Sequence, residues 1–127
     1  MSQDGKRDDR VRAFIVAMVV MAGSAAMAGE IEDAHRQAVA GRDSYWKCLA
    51  REYSRDTNKG MSGADFTSLI AGVCASERQS FRVALVDYLT MQFPGDAGAH
   101  MTTANNAIAL AQKDIVTAFI RHLSAPK

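Results

Sequence analysis

The chain has 127 residues, which is enough for a single domain. It carries 15 Lys and Arg against 14 Asp and Glu, 48% of its residues are hydrophobic, and only 2 are Pro. These values argue against a disordered chain, a collagen-like chain and a polybasic nucleic-acid binder.

The first 28 residues have the three parts of a secretory signal peptide. A start with four basic residues, ending at Arg12, is followed by an uncharged apolar run over Ala13–Gly23 and then by Ala26-Met27-Ala28. A basic start, a short apolar middle and an Ala-x-Ala ending predict export and cleavage after Ala28. We therefore predict two parts, a signal peptide over residues 1–28 and a small helical domain over residues 29–127.

An uncleaved membrane anchor is the alternative for this segment. Ala13–Ala28 is short for a membrane-spanning helix, which needs about 20 apolar residues. The short basic start is typical of bacterial export, so we predict a periplasmic or secreted protein with no transmembrane domain after processing. The mature chain carries 11 basic and 11 acidic residues, and this balance indicates no overall capture of nucleic acid.

The mature part begins with a helical pattern from Glu30 to about Asp56. Apolar residues recur at helical steps, although Gly41 interrupts them at a cost near 1 kcal/mol relative to Ala. The segment is therefore either one kinked helix or two helices. A turn over residues 56–60, Asp-Thr-Asn-Lys-Gly, closes it.

A second helix is predicted over Gly63–Gln92. Its apolar residues fall on one helical face, and Ser62 with Asp65 resembles a capping box at its start. Phe93-Pro94-Gly95 ends the helix, because the residue before Pro avoids helical dihedrals and Gly permits a reversal.

A last helix follows and ends before Pro126, with either Asp96 or Thr102 as its N-cap. Leu110, Val116 and Ile120 lie off its apolar face, which predicts wider burial of this helix. Because no alternating pattern reaches strand length, we predict an all-α fold. Its form is a three-helix antiparallel bundle, a hairpin plus a third helix, preceded by the signal-peptide helix.

Cys48 and Cys74 are the only two cysteines. Both lie on the apolar faces of their predicted helices, at equal distances from the turn between them, and an exported compartment is oxidising. We predict a structural disulfide, which closes a loop of about 26 residues and contributes about 3.5 kcal/mol in the chain-entropy model. A metal site or redox pair would usually show Cys-x-x-Cys, which is absent, so we predict no metal and no cofactor.

The predicted signal peptide is followed by Trp46-x-Cys48 and then by a second Cys, with Glu77, Phe81 and Ala84-Leu85 after it. In these features the chain resembles small, uncharacterised exported bacterial helical proteins with one Cys pair. The resemblance covers about residues 45–90. It implies an exported, disulfide-bonded, helical protein and brings no activity with it.

The residues that could carry chemistry have structural explanations. His35, His100 and His122 form no paired-ligand spacing, so we interpret them as structural or surface residues. Glu52 and Glu77 do not face each other across the hairpin, and Glu77 is expected to accept a hydrogen bond from Tyr45 instead. With no nucleophile elbow or phosphate-binding loop present, we predict no catalytic residues.

One charge pattern remains. Basic residues recur every four positions along the first helix, and they could contact an anionic surface: Lys47, Arg51, Arg55 and Lys59. A solvated face is the plainer interpretation, because Glu52 and Asp56 partly neutralise the stripe.

The leading functional hypothesis is a small periplasmic, non-enzymatic protein, an interaction or stress-related module. Its partner would be an unknown protein or an anionic surface of the cell envelope. The alternative hypothesis is a ligand carrier or small hydrolase with a site between helices, using Glu52 or Glu77.

Overall fold

A computed structural model describes the backbone of residues 2–125 and the side chains of residues 27–125. The helices are α1 (Ser2–Ser54), α2 (Gly63–Gly72), α3 (Ala75–Gln92) and α4 (Ala97–Ser124), with one 3₁₀ turn at Asp56–Asn58. No strand occurs within residues 2–125, which confirms the all-α class.

The chain divides into two compact units, residues 1–33 and residues 34–127. In the first unit, the described side chain of Met27 is largely exposed to solvent. The predicted signal peptide, residues 1–28, lies almost wholly outside the residues whose side chains are described, so it stays a prediction. Among the described residues, none of the helices combines the length and the apolar character needed to cross a bilayer.

The second unit contains the turn that the sequence predicts between α1 and the next helix. Helix α1 continues through Gly41 without interruption and ends at Ser54, and the 3₁₀ turn follows where the turn is predicted. Ser62 caps α2, because its hydroxyl oxygen accepts a hydrogen bond of 3.1 Å from the Asp65 amide. The N-cap prediction is therefore confirmed.

The predicted helix over Gly63–Gln92 is two helices, and the single-helix prediction is wrong. Helix α2 stops at Gly72, Val73 is extended, and Cys74 adopts a left-handed conformation with φ of 60° before α3 begins. Non-glycine residues rarely take this conformation. The step of seven residues from Cys74 to Phe81 keeps helical spacing, so the apolar pattern gives no sign of this break.

Helix α3 ends at Gln92, as Phe93-Pro94-Gly95 predicts, and Gly95 takes a φ of 135° that a side chain would resist. Asp96 is the N-cap of α4, where its carboxylate accepts a hydrogen bond of 3.0 Å from the Ala99 amide. Thr102 instead lies inside α4 and donates to a backbone carbonyl. The structure thus decides between the two predicted caps.

One apolar cluster forms the core of the second unit, and α4 packs against both α2 and α3. Its largest fully buried side chains come from α1 and α2: Tyr45, Leu49, Phe66 and Ile70. Phe66 also stacks on Phe119 of α4, with ring centroids 3.9 Å apart.

Two details of this packing differ from expectation. A Cβ atom at Gly41 would lie 2.9 Å from the Phe81 backbone, so this glycine permits close contact between α1 and α3. Leu110 and Ile120 are 59% and 45% exposed, whereas Val116 packs against the core, so the wider burial predicted for α4 holds only at Val116.

Candidate functional site

The two cysteines are joined, which confirms the disulfide prediction. The Sγ atoms of Cys48 and Cys74 lie 2.02 Å apart and the Cα atoms 6.0 Å apart. The bond links α1 to the residue that separates α2 from α3, and not to the interior of a second long helix. Ligand atoms of Cys48, Cys74 and Glu77 lie within 4.8 Å of one another, but both sulfurs are used in the bond and neither is a thiolate.

Tyr45 does not pair with Glu77 as predicted. Its hydroxyl oxygen accepts a hydrogen bond of 3.0 Å from Nε2 of Gln112 on α4, and its ring is fully buried. A buried hydroxyl needs a polar partner, and only the tertiary packing places Gln112 beside it. The partner differs from the mirror position because Tyr45 packs against both α3, where its ring contacts Phe81, and α4, which supplies the amide.

Glu52 takes part in the structure of the turn after α1. Asn58 is only 5% exposed, and its Nδ2 donates to the Glu52 carbonyl at 2.9 Å and to the Glu52 carboxylate at 3.0 Å. Arg55 lies 3.1 Å from the other carboxylate oxygen. The carboxylate therefore holds the turn together, which is the structural interpretation of Glu52. The sequence places Asn58 in a turn but gives no sign of its burial.

The three histidines lie in separate surroundings. His100 is buried, and its Nε2 donates to the Phe93 carbonyl at 2.7 Å, which fastens the start of α4 to the end of α3. His35 contacts the edge of the Tyr88 ring, with centroids 5.1 Å apart. His122 is exposed, beside the ring of Tyr53. The expected structural and surface roles agree with these contacts.

The four basic residues do not form a stripe on one helix. Helix α1 ends at Ser54, so only Lys47 and Arg51 lie on it, while Arg55 is extended and Lys59 follows the 3₁₀ turn. All four are exposed. The spacing of four residues predicted one helical face, but the turn changes the direction of the chain after Ser54.

The last two of these cations are paired locally. Lys59 lies 2.8 Å from Asp56 and Arg55 lies 3.1 Å from Glu52. The hydrogen bond and charge of Lys59 lower the pKa of Asp56, and the same carboxylate raises the pKa of Lys59. Lys47 and Arg51 form no ion pair with a described carboxylate, so they carry the free positive charge of this surface.

Two shallow grooves have aromatic walls. One of about 280 Å³ is lined by Tyr53, Lys59, Phe119 and His122, near the end of α4. The other, of about 250 Å³, lies between α1 and α3 and includes His35, Phe81 and Tyr88 among its lining residues. Neither Glu52 nor Glu77 lines either groove.

No known protein family, curated protein or solved structure matches this chain.

Proposed function

We propose that this chain is a small exported protein without enzymatic activity, an interaction or stress-related module that acts in the periplasm or outside the cell. The Cys48–Cys74 disulfide is the observation that carries the proposal. Disulfides persist in oxidising compartments and are rare in the cytosol of mesophiles. The signal-peptide pattern over residues 1–28 also supports export. The resemblance to small exported helical proteins agrees with export.

The structural roles of the polar residues support a non-enzymatic protein. The Glu52 carboxylate accepts a hydrogen bond from Asn58 and pairs with Arg55. His100 donates to a backbone carbonyl, and the Ser62 hydroxyl caps α2. A general acid, base or nucleophile must instead present its reacting atom to a substrate. These groups already use the atoms that catalysis would need.

The partner in this proposal is another protein or an anionic surface of the cell envelope. The anionic surface would contact the four exposed basic residues, Lys47, Arg51, Arg55 and Lys59. Of these, Lys47 and Arg51 matter most, because they have no carboxylate partner among the described residues. Exposed Lys and Arg side chains attract anionic headgroups, and salt screens this attraction. The grooves with aromatic walls keep a ligand carrier as the alternative, whereas a hydrolase using Glu52 or Glu77 gains no support from them.

Export is tested by producing the full chain in a bacterial host and measuring the intact mass in each cell fraction. We expect a periplasmic protein that begins at Gly29 and contains no free thiol. The matched control is Ala28→Glu, which should block cleavage because the peptidase needs a small residue there. An intact Met1 terminus in the membrane fraction of the parent would establish the anchor instead.

The surface contact is tested by sedimentation with vesicles that contain anionic lipids, at low and high salt. Lys47→Glu with Arg51→Glu should abolish binding at low salt. A control with the same change of charge on α4, Lys113→Glu with Arg121→Glu, should bind like the parent. If the parent does not bind at low salt, these cations form only a solvated surface and the partner is a protein.

A further inference from the structure

A groove of about 380 Å³ lies between α3 and α4, and two arginines of α3 line it. Arg78 and Arg82 are one helical turn apart, and both are half-buried. Asn105 and Gln112 of α4 line the opposite wall. Two permanent positive charges therefore face two neutral amides across the groove.

The guanidinium of Arg78 is held in place by the end of α2. Its Nη1 donates a hydrogen bond of 2.7 Å to the carbonyl of Ala71, one of the last residues of that helix. Carbonyls in the last turn of a helix lack a partner within the helix, so this bond satisfies one of them. A guanidinium has five N–H donors, and this bond uses only one of them.

Arg82 is fixed by two neutral side chains. Its Nε donates to Oδ1 of Asn105 at 2.9 Å, and its Nη1 donates to Oε1 of Gln79. These bonds hold the guanidinium plane in one orientation across α3 and α4. The remaining donors of Arg82 are free for another acceptor.

Neither arginine has a carboxylate partner among the described residues, since every bond they form ends on a neutral oxygen. Like charges four residues apart on a helix repel each other, so this arrangement is unfavourable by itself. An oxyanion in the groove would remove the repulsion. The planar fork of a guanidinium matches the two oxygens of a carboxylate or phosphate, and such charge-assisted bonds are the strong ones.

We propose that this groove binds a small organic oxyanion, a carboxylate or a phosphate, with Arg78 and Arg82 as its ligands. Asn105 contributes its free Nδ2 donor, because its Oδ1 is occupied by Arg82. Gln112 contributes its Oε1 as an acceptor for a ligand hydroxyl, because its Nε2 donates to Tyr45. Ile108 adds an apolar contact for a short carbon body. This site is independent of the export and the surface contact proposed above.

The test is a calorimetric titration of the full, disulfide-bonded chain with inorganic phosphate and, separately, with succinate. Sodium chloride at equal ionic strength is the blank. We expect one ion per chain, and Arg82→Gln should weaken binding at least about tenfold because it removes a charge-assisted pair. Phosphate binding without succinate binding assigns a phosphate ligand, and the reverse result assigns a carboxylate.

The matched control is Arg121→Gln, which removes the same charge from an exposed position on α4. It should bind like the parent, and Arg78→Gln should weaken binding like Arg82→Gln. Thermal unfolding checks that each variant is folded, and Arg82→Lys replaces Arg82→Gln if the latter is not. No binding of either ion, undiminished binding by the Arg82 variant, or an equal loss in Arg121→Gln would each overturn the proposal.

Discussion

Two of the three connections between helices in residues 34–125 are held in different ways. The first connection, residues 55–62 between α1 and α2, contains the buried Asn58 and lies within the loop that the disulfide closes. The second connection, residues 93–96 between α3 and α4, is exposed throughout. It is fixed by the Asp96 cap and by the bond from His100 to Phe93.

This difference predicts where the protein opens first. Segments with few buried contacts and exposed backbone open at lower free energy than those packed against the core. The fully buried cluster of Tyr45, Leu49, Phe66 and Ile70 lies on the two helices that the first connection joins. Local unfolding should therefore begin at the second connection and reach the first only with global unfolding.

Removal of the disulfide should have the largest effect. Cys48→Ala with Cys74→Ala frees a loop of 26 residues in the unfolded state, so the free energy of unfolding should fall by about 2–5 kcal/mol. Urea denaturation of the oxidised parent and the double variant measures the loss. The reduced parent should lose a similar amount, and an unchanged stability would show that the bond does not stabilise the fold.

Asn58→Ala should have the next largest effect. The Glu52 carbonyl and carboxylate lose a buried donor, which should cost about 1–3 kcal/mol in urea denaturation. Asn106→Ala is the matched control, because Asn106 is exposed on α4 and should change the stability by less than about 0.5 kcal/mol. Equal losses in the two variants would remove the distinction between a buried and an exposed amide.

Asp96→Ala should lower the stability by about 1 kcal/mol, because the first turn of α4 loses its cap. Asp96→Asn keeps an acceptor oxygen and should retain most of the stability. Amide hydrogen exchange should show faster opening of residues 97–100 in the Ala variant, with the amides of α1 unaffected. Faster exchange spread evenly over the chain would contradict a local role for the second connection.

The smallest effect concerns the Asp56–Lys59 pair at the surface of the first connection. Because the pKa of Asp56 is lowered, its contribution to stability is present above the ordinary value of 3.8 and is lost as pH falls through the lowered value. The raised pKa of Lys59 gives a contribution that is present below 10.5 and is lost as pH rises through the raised value. An NMR titration should place the Asp56 pKa below 3.8, and Lys59→Met should return it to that value.

The sequence by itself determined the features that a few neighbouring residues encode. The helical class, the turn after α1, the Ser62 cap and the end of α3 each follow from local spacing or backbone preference. The disulfide could also be predicted, because the chain has only two cysteines and their distances from one turn are equal.

The tertiary structure decided the features that depend on distant residues. Sequence spacing could not show that α2 and α3 separate at Cys74, because the left-handed residue there is held by a bond to α1. It also could not place Gln112 beside Tyr45, or Arg82 beside Asn105, since each pair is formed by helix packing. Burial and partner choice are properties of the packed helices together, whereas capping and helix boundaries are properties of each segment alone.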